Sequence, residues 1–131
     1  MEIKLTKQES ELYFYNALCN GLDYVTGYGL TIDFKKTDYQ KALDNFKKTN
    51  PEERPCFEDV LMQILRDGKS ITLIDEECDG EYTRTIKMKD VHDRVQKTKT
   101  NHLINMINEE DDAETADVII QSVFFEDIIF G

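Results

Sequence analysis

The most apolar stretch of this chain comes last and follows directly on its most acidic one. Val118, Ile119, Ile120, Val123, Phe124, Phe125, Ile128, Ile129 and Phe130 lie beyond the run Glu109 to Glu114. An acidic run at a chain end is ordinarily a solvated, disordered tail. Here it cannot be one, because the segment after it has to be buried, and burial of that much apolar surface draws the preceding acids back onto the folded body. The acids are therefore expected to form an anchored surface.

The charge of the chain is placed, not spread. Residues 1–50 balance seven acids against seven bases, residues 69–100 do the same, and residues 51–68 contribute -3. Residues 101–131 carry Glu109, Glu110, Asp111, Asp112, Glu114, Asp117, Glu126 and Asp127 with no Lys or Arg, which completes the net charge of -11. Such a field repels nucleic acid and anionic lipid and attracts basic protein surfaces. At 131 residues one domain is expected. No apolar run approaches membrane-spanning length and the amino terminus does not read as a signal peptide, so the cytoplasm is the expected location. Cys19, Cys56 and Cys78 are odd in number and widely spaced, which suits reduced thiols.

Periodicity gives the elements. Phe14, Leu18, Leu22 and Val25 recur at helical spacing over residues 9–26, with Gly27 as a stop. Leu30, Ile32 and Phe34 alternate with polar residues as in a short strand. Thr37 and Gln40 make a capping-box pattern ahead of Tyr39, Ala42, Leu43 and Phe46, a second helix. After the proline-bearing connector of residues 50–55, Phe57, Val60, Leu61, Ile64 and Leu65 form a third, whose opposite face would carry Glu58, Asp59, Met62, Gln63, Arg66 and Asp67. Residues 70–89 read as a hairpin turning at Asp79-Gly80, with Leu73 opposite Ile86, Ile71 opposite Met88 and Asp75 opposite Arg84. Asp90 is placed to cap a short helix, another runs from about Asn101, and Asp112 or Thr115 starts the last. The expected class is α+β: helices packed on a small antiparallel sheet with the hairpin at 70–89, and a helical C-terminal extension over 90–131. The order over residues 9–89 resembles that of winged helix-turn-helix domains in topology, which would make 1–89 a winged-helix-like core. In such a domain the third helix and the hairpin tip would face DNA, and both are acidic here, so DNA would be repelled.

No set of residues converges on catalysis, and the chain reads as non-enzymatic, with no cofactor and no metal. Asp75, Glu77, Asp79 and Gly80 mimic the opening of an EF-hand loop, but Ile86 stands where its last ligand is needed. Asp90, His92, Asp93 and His102 match no ligand spacing. Cys19 and Cys56 are expected in or beside buried stripes, Cys78 exposed but slowed by surrounding acids. Gly27-Tyr28-Gly29 is too short for a phosphate loop. Tyr13, Phe14, Tyr15 and Tyr24 read mainly as core and core edge.

The stretches Glu58 to Gln63, Asp90-Val91-His92, Asn108 to Asp112 and Phe124-Phe125 are similar to small proteins of bacteriophages of gut bacteria, to which no activity is assigned. The resemblance names no site residue. It implies either an acidic inhibitor of a host nucleic-acid-binding protein or a small virion component.

The leading expectation is a protein-interaction module that binds a basic protein surface, without contacting nucleic acid or membrane itself. Its residues would be Glu109, Glu110, Asp111, Asp112 and Glu114, joined by Glu76, Glu77, Asp79 and Glu81 of the hairpin tip if the two sets are neighbours. One alternative is a homo-oligomer or virion subunit that docks Ile128, Ile129 and Phe130 on a neighbour. Another is a winged-helix regulator contacting DNA through Lys87, Lys89, Arg94, Lys97 and Lys99.

Overall fold

A computed structural model describes residues 3–131. In chain order the elements are α1 (Lys7–Thr26), β1 (Leu30–Asp33), α2 (Lys36–Thr49), α3 (Phe57–Arg66), β2 (Ile71–Asp75), β3 (Arg84–Ile86), α4 (Met88–Arg94), a 3-10 turn (Val95–Lys97), α5 (Thr100–Ile107) and α6 (Ala113–Phe125). The class is α+β: among the described residues, six helices pack with an antiparallel sheet of order β1-β2-β3.

Local chemistry sets where the helices begin. The Thr6 hydroxyl accepts from the Glu9 N–H at 3.1 Å while Glu9 accepts from the Thr6 N–H at 2.8 Å, a reciprocal cap that starts α1. Helix α2 starts at Lys36, earlier than a Thr37 cap would place it. Phe34, just before the cap position, stacks on Tyr39 at 4.9 Å between ring centroids, so an apolar staple fixes this entry in place of a hydroxyl. Helix α4 begins at Met88, and Asp90 caps from inside its first turn by accepting the Lys87 N–H at 2.9 Å.

The sheet corrects the expected hairpin register by two residues. Ile71 faces Ile86, Thr72 faces Thr85 and Leu73 faces Arg84. The cause is Asp75. Its side chain is buried and turned into the loop, where it accepts the N–H groups of Cys78 at 2.8 Å, Glu77 at 3.0 Å and Tyr82 at 3.1 Å, and the Asp75 N–H donates to the Thr83 hydroxyl at 3.0 Å. A carboxylate needing three backbone donors opens a wide loop over residues 76–83, in place of a two-residue turn. Asp79 and Gly80 still take positive φ, 53° and 79°, inside it. A slip of two preserves the faces, so Ile71, Leu73 and Ile86 all remain buried.

The core runs from Phe14 through Leu61, Leu73 and Val91 to Phe124, so residues 90–131 supply the same core as residues 3–89. Its centre is the antiparallel pair α1 and α6. Phe14 meets Phe124 with ring centroids 6.3 Å apart, and further along Gly21 faces Ala116, where a Cβ on Gly21 would lie 2.9 Å from that of Ala116. Met62, expected on a solvent face of α3, is buried, because α3 packs against both α1 and α2.

Candidate protein-interaction surface

The acidic run is held at both ends. Asn108 to Asp112 join α5 to α6, with Glu109 at φ 58°. On the α1 side, the Asn20 amide donates to Asp111 at 3.1 Å. On the α6 side, Asp112 is the helix cap and accepts the Thr115 N–H at 2.9 Å, while the Thr115 hydroxyl lies 3.1 Å from His102 Nδ1. Glu109, Glu110, Asp112 and Glu114 are exposed and Asp111 is partly so. Among the described residues none of these five forms an ion pair. Of the other acids in residues 101–131, Glu126 pairs with Arg94 at 3.0 Å and Asp117 is buried.

Glu76, Glu77, Asp79 and Glu81 are exposed on the β2–β3 loop, and none of them is ion-paired among the described residues. Both acidic sets act on one turn, Tyr28-Gly29, the 109–114 set only through Glu114 as the smallest influence on Tyr28. From one side Glu114 acts electrostatically on Tyr28, whose hydroxyl is pushed up first by burial and then by its hydrogen bond to Asp117. From the other side, the Gly29 carbonyl accepts the Glu76 N–H at 2.9 Å, and a Cβ on Gly29 would lie 2.5 Å from Glu77 Cγ. With φ at 83°, Gly29 is held to glycine by its backbone.

Phe130 fixes this turn together with Tyr82 and Gln121, two residues that sequence reasoning passed over. Phe130 stacks on Tyr28 at 5.1 Å and meets Tyr82 edge-on at 5.3 Å, tying the chain end to the hairpin loop. Gln121, fully buried, accepts the N–H groups of Ile129 at 2.7 Å and Phe130 at 2.9 Å and donates to the Phe130 carbonyl at 3.1 Å and to Asp117 at 3.0 Å. The apolar end thus folds onto its own chain, although Ile129 remains 39% exposed. A polar residue inside an apolar run was the available sign: a buried amide in such a run must find partners.

Cys19 and Cys56 are exposed together with Cys78, contrary to the expected burial. Cys56 precedes the first turn of α3 and its thiol donates to Asp59 at 3.2 Å, while Cys19 lies outside the buried stripe of α1. Partial desolvation and the carboxylates of Asp75, Glu81, Glu77 and Asp79 push the Cys78 thiol up. His92 pairs with Glu11 at 3.0 Å, and Glu11 also holds Arg66 at 3.1 Å. Arg94 is engaged by Asp90, Glu126 and the Val123 carbonyl, which removes it from any run of free cations. Among the described residues no group of three or more His, Cys, Asp or Glu side chains is placed to hold a metal ion, and no helix is long and apolar enough to cross a membrane.

Backbone donors hold Asp75 and Asp112 below the ordinary carboxylate range, led by the Cys78 and Thr115 N–H groups respectively. A depressed folded value stabilises the fold above the unfolded value of about 4, and that contribution is lost as pH falls through the folded value. Asp117 has the opposite sign: desolvation raises it, so its contribution to stability declines as pH rises through the window above the unfolded value. Replacing Asp75 with asparagine is expected to lower the thermal midpoint at neutral pH, and the deficit should shrink in acid once pH has fallen through the depressed folded value and the native carboxyl is also neutral. Melting curves at neutral and at acid pH check this. An equal deficit at both would show that charge is not what organises the loop.

What the fold and this surface define is a class, a small α+β fold whose acids at 109–112 and 114 are unpaired among the described residues. No protein-family model, curated protein or solved structure matches the chain.

Proposed function

We propose that this protein is a non-enzymatic interaction module whose carboxylate surface binds a basic protein. The observation that carries the reading is the set Glu109, Glu110, Asp111, Asp112 and Glu114, with no cationic partner among the described residues and anchored on ordered backbone. Unpaired charges on a fixed scaffold speed encounter and give specificity without loss to internal pairing. In this reading the hairpin acids Glu76, Glu77, Asp79 and Glu81, likewise unpaired among the described residues, add a second part to the surface. In the sharper form of the reading, the chain is phage-borne and its carboxylates stand in for nucleic-acid phosphates on a basic host protein.

The test uses a deca-lysine peptide as the basic probe. Its affinity should fall about tenfold or more between low salt and about 0.3 M salt. Glu109→Gln, Glu110→Gln and Asp111→Asn together should remove most of the low-salt binding, while Asp112 is left in place because it caps α6. Binding that is indifferent to salt and to these substitutions would refute the proposal. A tagged pull-down from host lysate at two salt concentrations would then identify the natural partner.

A further inference from the structure

Away from the acidic run, a cleft of about 270 Å³ opens between the last turns of α1, β1 and the first turn of α3. Its walls are mainly apolar, formed by Leu22 and Val25 of α1, Ile32 of β1 and the ring of Phe57, interrupted by Thr26 and Thr31, and Asp23 and Glu58 also line it. No Lys or Arg lines it. Neither carboxylate is in an ion pair among the described residues. A third carboxylate, Glu76, stands beside it and accepts the Thr31 hydroxyl at 3.1 Å.

Each part of the cleft matches part of one side chain. The volume lies just below the range of about 300–1,000 Å³ in which small-molecule sites fall, so it suits a single long side chain better than a nucleotide. Apolar walls favour an aliphatic stem and the carboxylates favour a cationic head, which together describe lysine or arginine. Phe57 decides between them. Its ring is 39% exposed and held by Phe34 at 5.9 Å and Tyr39 at 6.2 Å, a fixed aromatic surface in the same cleft. A planar guanidinium stacks on such a ring and bonds carboxylates in a bidentate fork, and an ammonium does neither as well.

We propose that this cleft takes one arginine side chain of the basic partner, its stem along Leu22 and Ile32 and its guanidinium between Asp23, Glu58 and the Phe57 ring. The inference deepens the reading of an acidic interaction surface and rests on it for the source of the arginine. It supplies the desolvated anchor that a flat charged surface lacks, since a few buried Arg and aromatic contacts dominate interface energy while exposed charges mainly steer.

The experiment titrates N-acetyl-arginine N-methylamide into isotope-labelled protein, with the neutral N-acetyl-citrulline N-methylamide alongside, and follows backbone amide shifts. Saturable shifts are expected at residues 22–26, 30–32 and 57–58. The citrulline compound should bind at least about tenfold more weakly, the scale of losing a charge-assisted bidentate contact. Asp23→Asn with Glu58→Gln should reduce arginine affinity by a similar factor, and Phe57→Leu by less. These positions are exposed or partly so, and unchanged amide spectra of the free variants establish that they fold. Shifts confined to residues 76–81 and 109–114, or an equal response to citrulline, would overturn the cleft while leaving the acidic surface standing. Cleft shifts with deca-lysine binding unaffected by substitution at 109–111 would overturn the surface instead.

Discussion

Truncating Phe124 to alanine is expected to destabilise the protein by about 3–5 kcal/mol, a large share of the roughly 5–15 kcal/mol that holds a domain of this kind folded. Phe124 is 2% exposed and packs on Phe14 at the centre of the α1–α6 pair. The cost of such a cavity depends on whether its walls can close. Here they cannot close easily, because Gly21 and Ala116 already bring the same two helices together near the limit of contact and so set their separation. Chemical denaturation of native and variant protein measures the difference, and Phe124→Leu, which keeps most of the volume, should lose much less. A loss below about 1 kcal/mol for the alanine variant would mean that α1 and α6 do not pack as described. Since α6 begins at the acidic loop, this packing also holds Glu109 to Glu114 in place.

Replacing Gln121 with leucine, close in volume but without its amide, is expected to release the chain end. The Ile129 and Phe130 N–H groups would lose their acceptor, the Phe130 carbonyl its donor, and Asp117 one of its two side-chain donors. Each buried group left without a partner costs about 1–3 kcal/mol, so the segment does better by detaching and meeting water than by staying. Detachment forfeits the packing of Phe130 on Tyr28 and Tyr82, and we expect a net loss of about 2–4 kcal/mol. Amide exchange at Ile129 and Phe130 should accelerate far more than at the centre of α1, and unchanged protection there would show that Gln121 does not hold the segment.

Much of the architecture was legible in the residues. Helical spacing placed α1, α2 and α3, alternation placed β1, and the α6 cap was narrowed to Asp112 or Thr115, of which the structure uses Asp112, because each of these rests on neighbours within one or two turns. The hairpin was legible as a hairpin but not in register. Matching side chains favoured a tight turn at Asp79-Gly80, whereas three N–H groups converging on the buried Asp75 outweighed that turn. The exposure of Cys19 and Cys56 and the burial of Met62 were misread for a related reason. One helix stripe indicates which face is buried first, and only the neighbouring helices indicate how many faces are buried.

The acidic residues of the surface could be named from the sequence, since their charge and the absence of local bases are properties of order along the chain. Whether distant cations would cancel them was not, because an ion pair forms between residues that meet only on folding. Folding leaves Glu109, Glu110, Asp111, Asp112 and Glu114 unpaired among the described residues and diverts Arg94 to Glu126 and Asp90. It also brings Glu77 against Gly29 and opens the cleft beside Phe57. The sequence thus determined the sign of the charge and the segments that carry it, through local composition and periodicity. The tertiary structure decided which of those charges stay free and what lies beside them, because both depend on contacts between residues far apart in the chain.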